Sequence, residues 1–248
     1  MPAVRKGSHG NSRGACQGTE AVVRKGAIMN MSGRDRRRQR TLVAFISSAQ
    51  RIMEDKGPDR VTIRDVAADA GYNSATLYLY FSDLDQLILY ASLKYLSMYN
   101  RAVVERLTDC HSDQERLFVT WEVFCEVSDR HPEAFERIFF GAHSQSLTDI
   151  CEQYYRLFPE ERQAPEELAL SPIFSSFSLL ERNLLVLRPL CSGMDEQRMQ
   201  VINELMVFGY AGLLHRRIEE KRAGFDGEPL ATRFREYLDY LTAELPAE

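Results

Sequence analysis

The sequence predicts an all-α protein: a three-helix helix-turn-helix domain near the N-terminus, joined by a long helix to an all-helical body. Three observations carry that reading. Apolar residues recur at three- and four-residue spacing from Arg36 almost to the end of the chain, the period of an amphipathic helix. Strand-like alternation of apolar and polar residues is lacking. The breaks fall at Gly57-Pro58, Pro132, Pro159, Pro165, Pro189–Gly193 and Gly224–Pro229, residues that end helices or turn the chain.

Residues 1–33 are expected to be a disordered leader, since they are rich in Gly, Ser and basic residues with little apolar patterning. Met29 and Met31 stand just before the first periodic segment, which makes each a candidate translation start beside Met1. From Arg36 to Lys56, Leu42, Phe45/Ile46, Ala49 and Ile52/Met53 mark the first helix. Thr62 opens a shorter one, with Asp65 completing a T-x-x-D capping box and Ile63, Val66, Ala67 and Ala70 as its buried stripe. Gly71 is the residue for a left-handed cap. Asn73 then caps a helix reaching about Tyr80, and Asp83 caps a long helix to about Leu107. Two short helices joined by a glycine turn behind a longer one make a helix-turn-helix. Leu77 and Phe81, one turn apart, are expected to face inward, leaving Ser74, Ala75 and Tyr78 outward. Further helices are expected over 112–130, 132–157, 165–188, 194–223 and 228–245.

Bulk properties narrow the function. The 248 residues are 44% hydrophobic and 27% charged, as in a globular protein, and no apolar run is long enough to span a membrane. Residues 1–60 hold 13 Lys/Arg against 5 Asp/Glu, a balance of +8, which leaves −13 on the rest of a chain of net charge −5. An acidic body with a basic end suits docking of that end on a polyanion. The cysteines Cys16, Cys110, Cys125, Cys151 and Cys191 are odd in number without C-x-x-C spacing, pointing to a reducing cytoplasm rather than to disulfides or structural zinc. His111, His131, His143 and His215 lack metal-site spacing, so no metal or other cofactor is expected. Nucleophile elbows and phosphate-binding glycine loops are missing too, which argues against an enzyme.

The stretch Thr62–Leu87, "TIRDVAADAGYNSATLYLYFSDLDQL", resembles the DNA-binding domain of TetR-family transcriptional regulators, over about residues 36–90. The resemblance implies a cytoplasmic homodimer that sets two recognition helices into successive major grooves, roughly 34–36 Å apart. It divides the chain into the leader, a DNA-binding domain over 34–82, and a ligand-binding and dimerisation domain over 83–248. Thr62, Thr76, Tyr78 and Tyr80 are the expected phosphate contacts, beside the N-cap Asn73. Base reading falls to Arg64, Ser74, Ala75 and Leu79. Arg36, Arg37 and Arg38, in the run Arg34–Arg40, are expected to follow the backbone or minor groove. Three positions depart from the family pattern. Tyr72 replaces a valine, Leu84 replaces a phosphate-binding lysine, and Asp83 adds a negative charge beside it.

The implied function is a regulator, a repressor before an activator, released from operator DNA by a small, largely apolar ligand in the aromatic-rich body. Trp121, Phe124, Phe139, His143, Tyr154, Phe177 and Glu181 are the candidate ligand contacts, and the last two helices the candidate dimer seam. Leu84, Asp83 and the non-basic recognition helix motivate the alternative, a TetR-like adaptor that acts through protein contacts with weak or no specific DNA binding.

Overall fold

The computed structural model describes residues 32–162, 172–243 and 245. Every regular element among them is helical. Apart from Ser32 and Gly33, the expected leader lies outside the described residues, as do residues 165–171 of the expected 165–188 helix.

Among the described residues ten α-helices follow one another: α1 (Gly33–Lys56), α2 (Ile63–Ala70), α3 (Ser74–Leu77), α4 (Leu84–Leu107), α5 (Asp113–Arg130), α6 (Pro132–Phe140), α7 (Leu147–Leu157), α8 (Leu179–Leu187), α9 (Glu196–Arg222) and α10 (Leu230–Thr242). Two compact units divide the chain, residues 1–41 and residues 42–248. In the first, the described residues are the opening turns of α1, where Arg36, Arg37, Arg38 and Arg40 are all exposed. The second holds the helix-turn-helix and the body together.

The body's helices start and stop for local reasons. Ser112 and Glu115 form a reciprocal capping box at the start of α5. The single helix expected over 132–157 is two, α6 and α7, because the chain breaks at Gly141. A Cβ there would stand 2.6 Å from the Arg137 carbonyl oxygen, so only glycine lets the chain leave α6 in this direction. Among the described residues of the expected 165–188 helix, a 3-10 turn at Pro172–Ser175 precedes the α-helix Leu179–Leu187.

Aromatic rings fill the middle of the body. Trp121 packs against Phe234, Tyr210 and Phe124 with centroids 4.5, 5.3 and 5.5 Å away, offset and edge contacts that add to simple burial. The Trp121 indole N–H donates to Asn183 Oδ1 at 2.7 Å, and Asn183 donates on to Asn203 Oδ1 at 2.9 Å. On the far side α9 keeps Val201, Leu205 and Phe208 exposed, and α10 adds Tyr237 and Tyr240. Leu205, Phe208, Gly209, Tyr237, Tyr240 and Leu241 line an open apolar groove of about 440 Å³ there. Gly209 lets the two helices close up, since a Cβ on it would lie 3.0 Å from the Tyr237 ring.

Candidate nucleic-acid interface

The helix-turn-helix is built from caps outward. Thr62 Oγ1 accepts from the Asp65 N–H at 3.1 Å to start α2. Gly71 ends it in the left-handed conformation, φ 75°. Asn73 Oδ1 then accepts from the Thr76 N–H at 2.8 Å and the Thr76 hydroxyl at 2.9 Å, so the Thr76 hydroxyl is tied to the cap that starts α3. α3 ends at Leu77, shorter than the helix to Tyr80 expected from sequence, and Tyr78–Tyr80 continue as turns. Leu77 and Phe81 are buried in the core, Phe81 edge-on to Phe45 and Tyr90. Burial on that side turns the other side out. Tyr78 is 57% exposed and Leu79 72%. Ala75, Arg64, Thr62 and Asn73 are exposed beside them, and Ser74 and Thr76 are half-buried. No described residue pairs with the Arg64 guanidinium. Tyr80 turns back toward the core, half-buried with its ring 6.1 Å from Phe45.

The three departures have structural places. Tyr72 stacks at 5.1 Å on Phe45, covering the turn. Leu84 packs half-buried against the core. Asp83 caps α4, accepting from the Gln86 N–H at 2.7 Å, and meets His143 Nε2 at 2.9 Å. Burial raises its carboxyl, but the hydrogen bonds from Gln86, His143 and Ser82 outweigh it and hold the group below the ordinary carboxylate value. Its negative charge is therefore partly absorbed by the body.

Other ties run from the reading head to the body. Arg137 of α6 bridges Asp59 at 2.8 Å and Asp85 at 3.0 Å, and Arg222 of α9 also reaches Asp59, at 2.5 Å. Burial raises the Asp59 carboxyl, and these two arginines more than reverse it. Gln50 of α1 donates to the Tyr154 hydroxyl at 3.2 Å, which donates to Glu161 at 2.7 Å.

Of the ligand candidates, the structure brings Trp121, Phe124 and Phe139 together: Trp121 and Phe124 border an inner cleft between α4, α5 and α8, and Phe139 packs 5.5 Å from Phe124. Trp121 also borders an outer cavity of about 250 Å³ against α10. The other four lie apart. His143 and Tyr154 belong to the ties just described, Phe177 stacks on Tyr155, and Glu181 is exposed, accepting from the Ser176 hydroxyl. Six residues of the inner cleft escaped the sequence reading: Tyr99, Thr120, Ile173, Leu179, Arg182 and Asn183. Their one signal was an arginine in an apolar stretch, "LLERNLLVL".

This arrangement defines a helix-turn-helix protein with an all-helical body. Residues 45–91 match the family model described as bacterial regulatory proteins, tetR family. Among solved structures, a TetR-family transcriptional repressor, FadR of Thermus thermophilus in complex with lauroyl-CoA, matches at 14% identity and TM-score 0.55 over 84% of this chain and 96% of its own. A putative transcriptional regulator of Rhodococcus sp. RHA1 matches at 12% identity and TM-score 0.50, covering 83% and 95%. No curated protein sequence matches the chain.

Proposed function

We propose that the chain is a homodimeric, cytoplasmic transcriptional repressor that leaves its operator when a small, largely apolar ligand enters the helical body. The observation that carries the reading is the division of labour in α3 and the turn after it: Leu77 and Phe81 are buried, while Ala75, Tyr78 and Leu79 stand out with Arg64 beside them. An outward face of short, apolar and hydroxyl side chains suits thymine-methyl contacts and phosphate hydrogen bonds, with Arg64 for a guanine. Tyr80 grips a phosphate from the rim, Thr62, Ser74 and Thr76 contribute hydroxyls, and Arg36, Arg37 and Arg38 add charge along the backbone.

On this reading residues 34–82 bind DNA, and residues 83–248 hold the ligand and the dimer seam. The apolar groove of α9 and α10 supports the seam, because contiguous exposed apolar surface of this kind marks an interface. No described helix is long and apolar enough to cross a membrane. Ligand release needs a ligand that prefers one spacing of the two reading heads. Arg137, His143 and Tyr154 supply the linkage, joining α6, the following turn and α7 to Asp59, Asp85, Asp83 and Gln50.

Fluorescence anisotropy on DNA from upstream of the protein's own gene tests this, against scrambled DNA at two salt concentrations. Tight, selective binding that weakens steeply with salt is the expected result. Equal, weak binding to both DNAs would point instead to the adaptor.

A further inference from the structure

Arg182 of α8 is 4% exposed and has no carboxylate partner among the described residues. Its Nε donates to the carbonyls of Ile173 at 3.0 Å and Ser176 at 2.8 Å, and its Nη2 to Asn100 Oδ1 at 3.1 Å. All three partners are neutral. Among the described residues Nη1 has no hydrogen-bond partner, and neither has the buried hydroxyl of Thr120. Both residues border the inner cleft. The other buried arginine among the described residues, Arg217, is treated differently: Asp129 meets it at 2.6 Å and Asp226 at 3.0 Å. A guanidinium keeps its charge in proteins, and a buried charge is ordinarily paired. Orphaned buried donors are rare in their own right.

We propose that this cleft binds an organic carboxylate on an apolar, ring-bearing frame, with Arg182 Nη1 and the Thr120 hydroxyl holding the carboxylate. The proposal rests on the ligand-responsive reading above and names the class of ligand that the reading requires. The shape supports a head of this size. The cleft encloses about 260 Å³ including its open mouth, but only about 20 Å³ of it admits a water-sized sphere. Space this narrow has room for a small head only, which leaves the frame to the mouth of the cleft. Two N–H groups on Nη1 and one hydroxyl are the donors left over, enough for two oxygens. Around them Tyr99, Trp121, Phe124 and Leu179 give ring faces and aliphatic surface for the frame. The bond from Arg182 to Asn100 sets the charged end against α4, the helix that leads from the reading head.

Trp121 is the single tryptophan of the chain and borders the cleft, so its emission reports occupancy. The probes are benzoate, phenylacetate and octanoate, each beside its neutral amide. A saturable change with at least one carboxylate is expected, its amide binding roughly tenfold to hundredfold more weakly, as for a lost charge-assisted hydrogen bond. Arg182→Gln should cost about as much, and Thr120→Val about tenfold or less. Circular dichroism checks that Arg182→Gln folds. If it does not, Thr120→Val, which leaves every bond of Arg182 in place, decides alone. The proposal is overturned if no carboxylate gives a saturable response, if acids and amides bind alike, or if carboxylate affinity survives the substitutions unchanged. DNA anisotropy with the same probes separates the two claims. Carboxylate binding without DNA release leaves the anion site standing and removes the ligand-responsive reading, whereas release by acids and amides alike does the reverse.

Discussion

Leu77 and Tyr78 are neighbours with opposite tasks, because a helical turn places adjacent side chains about 100° apart. Leu77 is fully buried, so Leu77→Ala opens a cavity and should cost about 2–5 kcal/mol of stability, read by denaturant unfolding. Tyr78→Phe removes one exposed hydroxyl and should leave unfolding unchanged within about 0.5 kcal/mol. On DNA it should weaken binding roughly two- to tenfold, for specific and scrambled sequences alike, since a phosphate contact carries no sequence information. Loss confined to one sequence would mean that the tyrosine reads a base. His131 gives a separate signature. Its ring stacks 3.9 Å from Tyr95, and burial, with Lys94, Arg130 and Lys221 nearby, pushes its pKa down from 6.5 to about 4. The folded state thus refuses a proton that the unfolded chain accepts. The stabilisation is complete above pH 6.5 and is lost as pH falls toward 4. Melting temperature should decline across that window, and decline less in His131→Gln. Equal slopes for the two proteins would show that other groups set the acid sensitivity.

Among the elements, α3 is the most dependent on its ends. Four residues make too little helix to hold by propensity, so the Asn73 cap and the Gly71 turn position it. Asn73→Ala should cost about 0.5–2 kcal/mol. Gly71→Ala meets no atom within 4 Å, so its penalty is purely that of a left-handed backbone, about 1–2 kcal/mol. Both should weaken DNA binding beyond what an equal loss of stability elsewhere does, if the helix they set is the one that reads. DNA affinity unchanged in either variant would argue that α3 is not the contact. At Gly141 the reason for glycine is different: the space itself is taken, and the break it makes lets α6 and the turn after it send Arg137 and His143 separately to the head.

At the scale of the whole molecule, α9 is apolar on two sides. One side packs Ile202, Met206, Tyr210 and Leu214 into the body, and the other presents Val201, Leu205 and Phe208 to solvent. A helix with both faces apolar is ordinarily interior, and a second copy of the chain would make it so. Phe208→Glu should therefore shift the protein from dimer to monomer in sedimentation velocity. DNA affinity should fall with it, because two linked reading heads bind far more tightly than one. A dimer that survives this change would place the seam elsewhere. The ties around Asp59 and Asp83 belong to the same scale: Arg137 and Arg222 join the segment between α1 and α2 to α6 and α9, and His143 joins the start of α4 to the turn after α6.

Sequence alone determined the all-helical class, the helix-turn-helix and its two faces, because these follow from local periodicity, caps and one glycine turn, while the break at Gly141 and the early end of α3 at Leu77 did not show in it. Thr62, Asn73 and Asp83 cap helices within their own few residues, and such signals are local to the sequence. What the tertiary structure decided depends on residues far apart in the chain. His143 and Tyr154 are polar and sit among aromatics, so residue type suggested ligand contacts, yet long-range packing puts them against Asp83 and Gln50. Arg182 reads in sequence like the outward charge of an amphipathic helix. Only the meeting of α4, α5 and α8 buries it beside Thr120 with one nitrogen unmatched, because burial is a property of the neighbours a residue acquires, not of the residue itself.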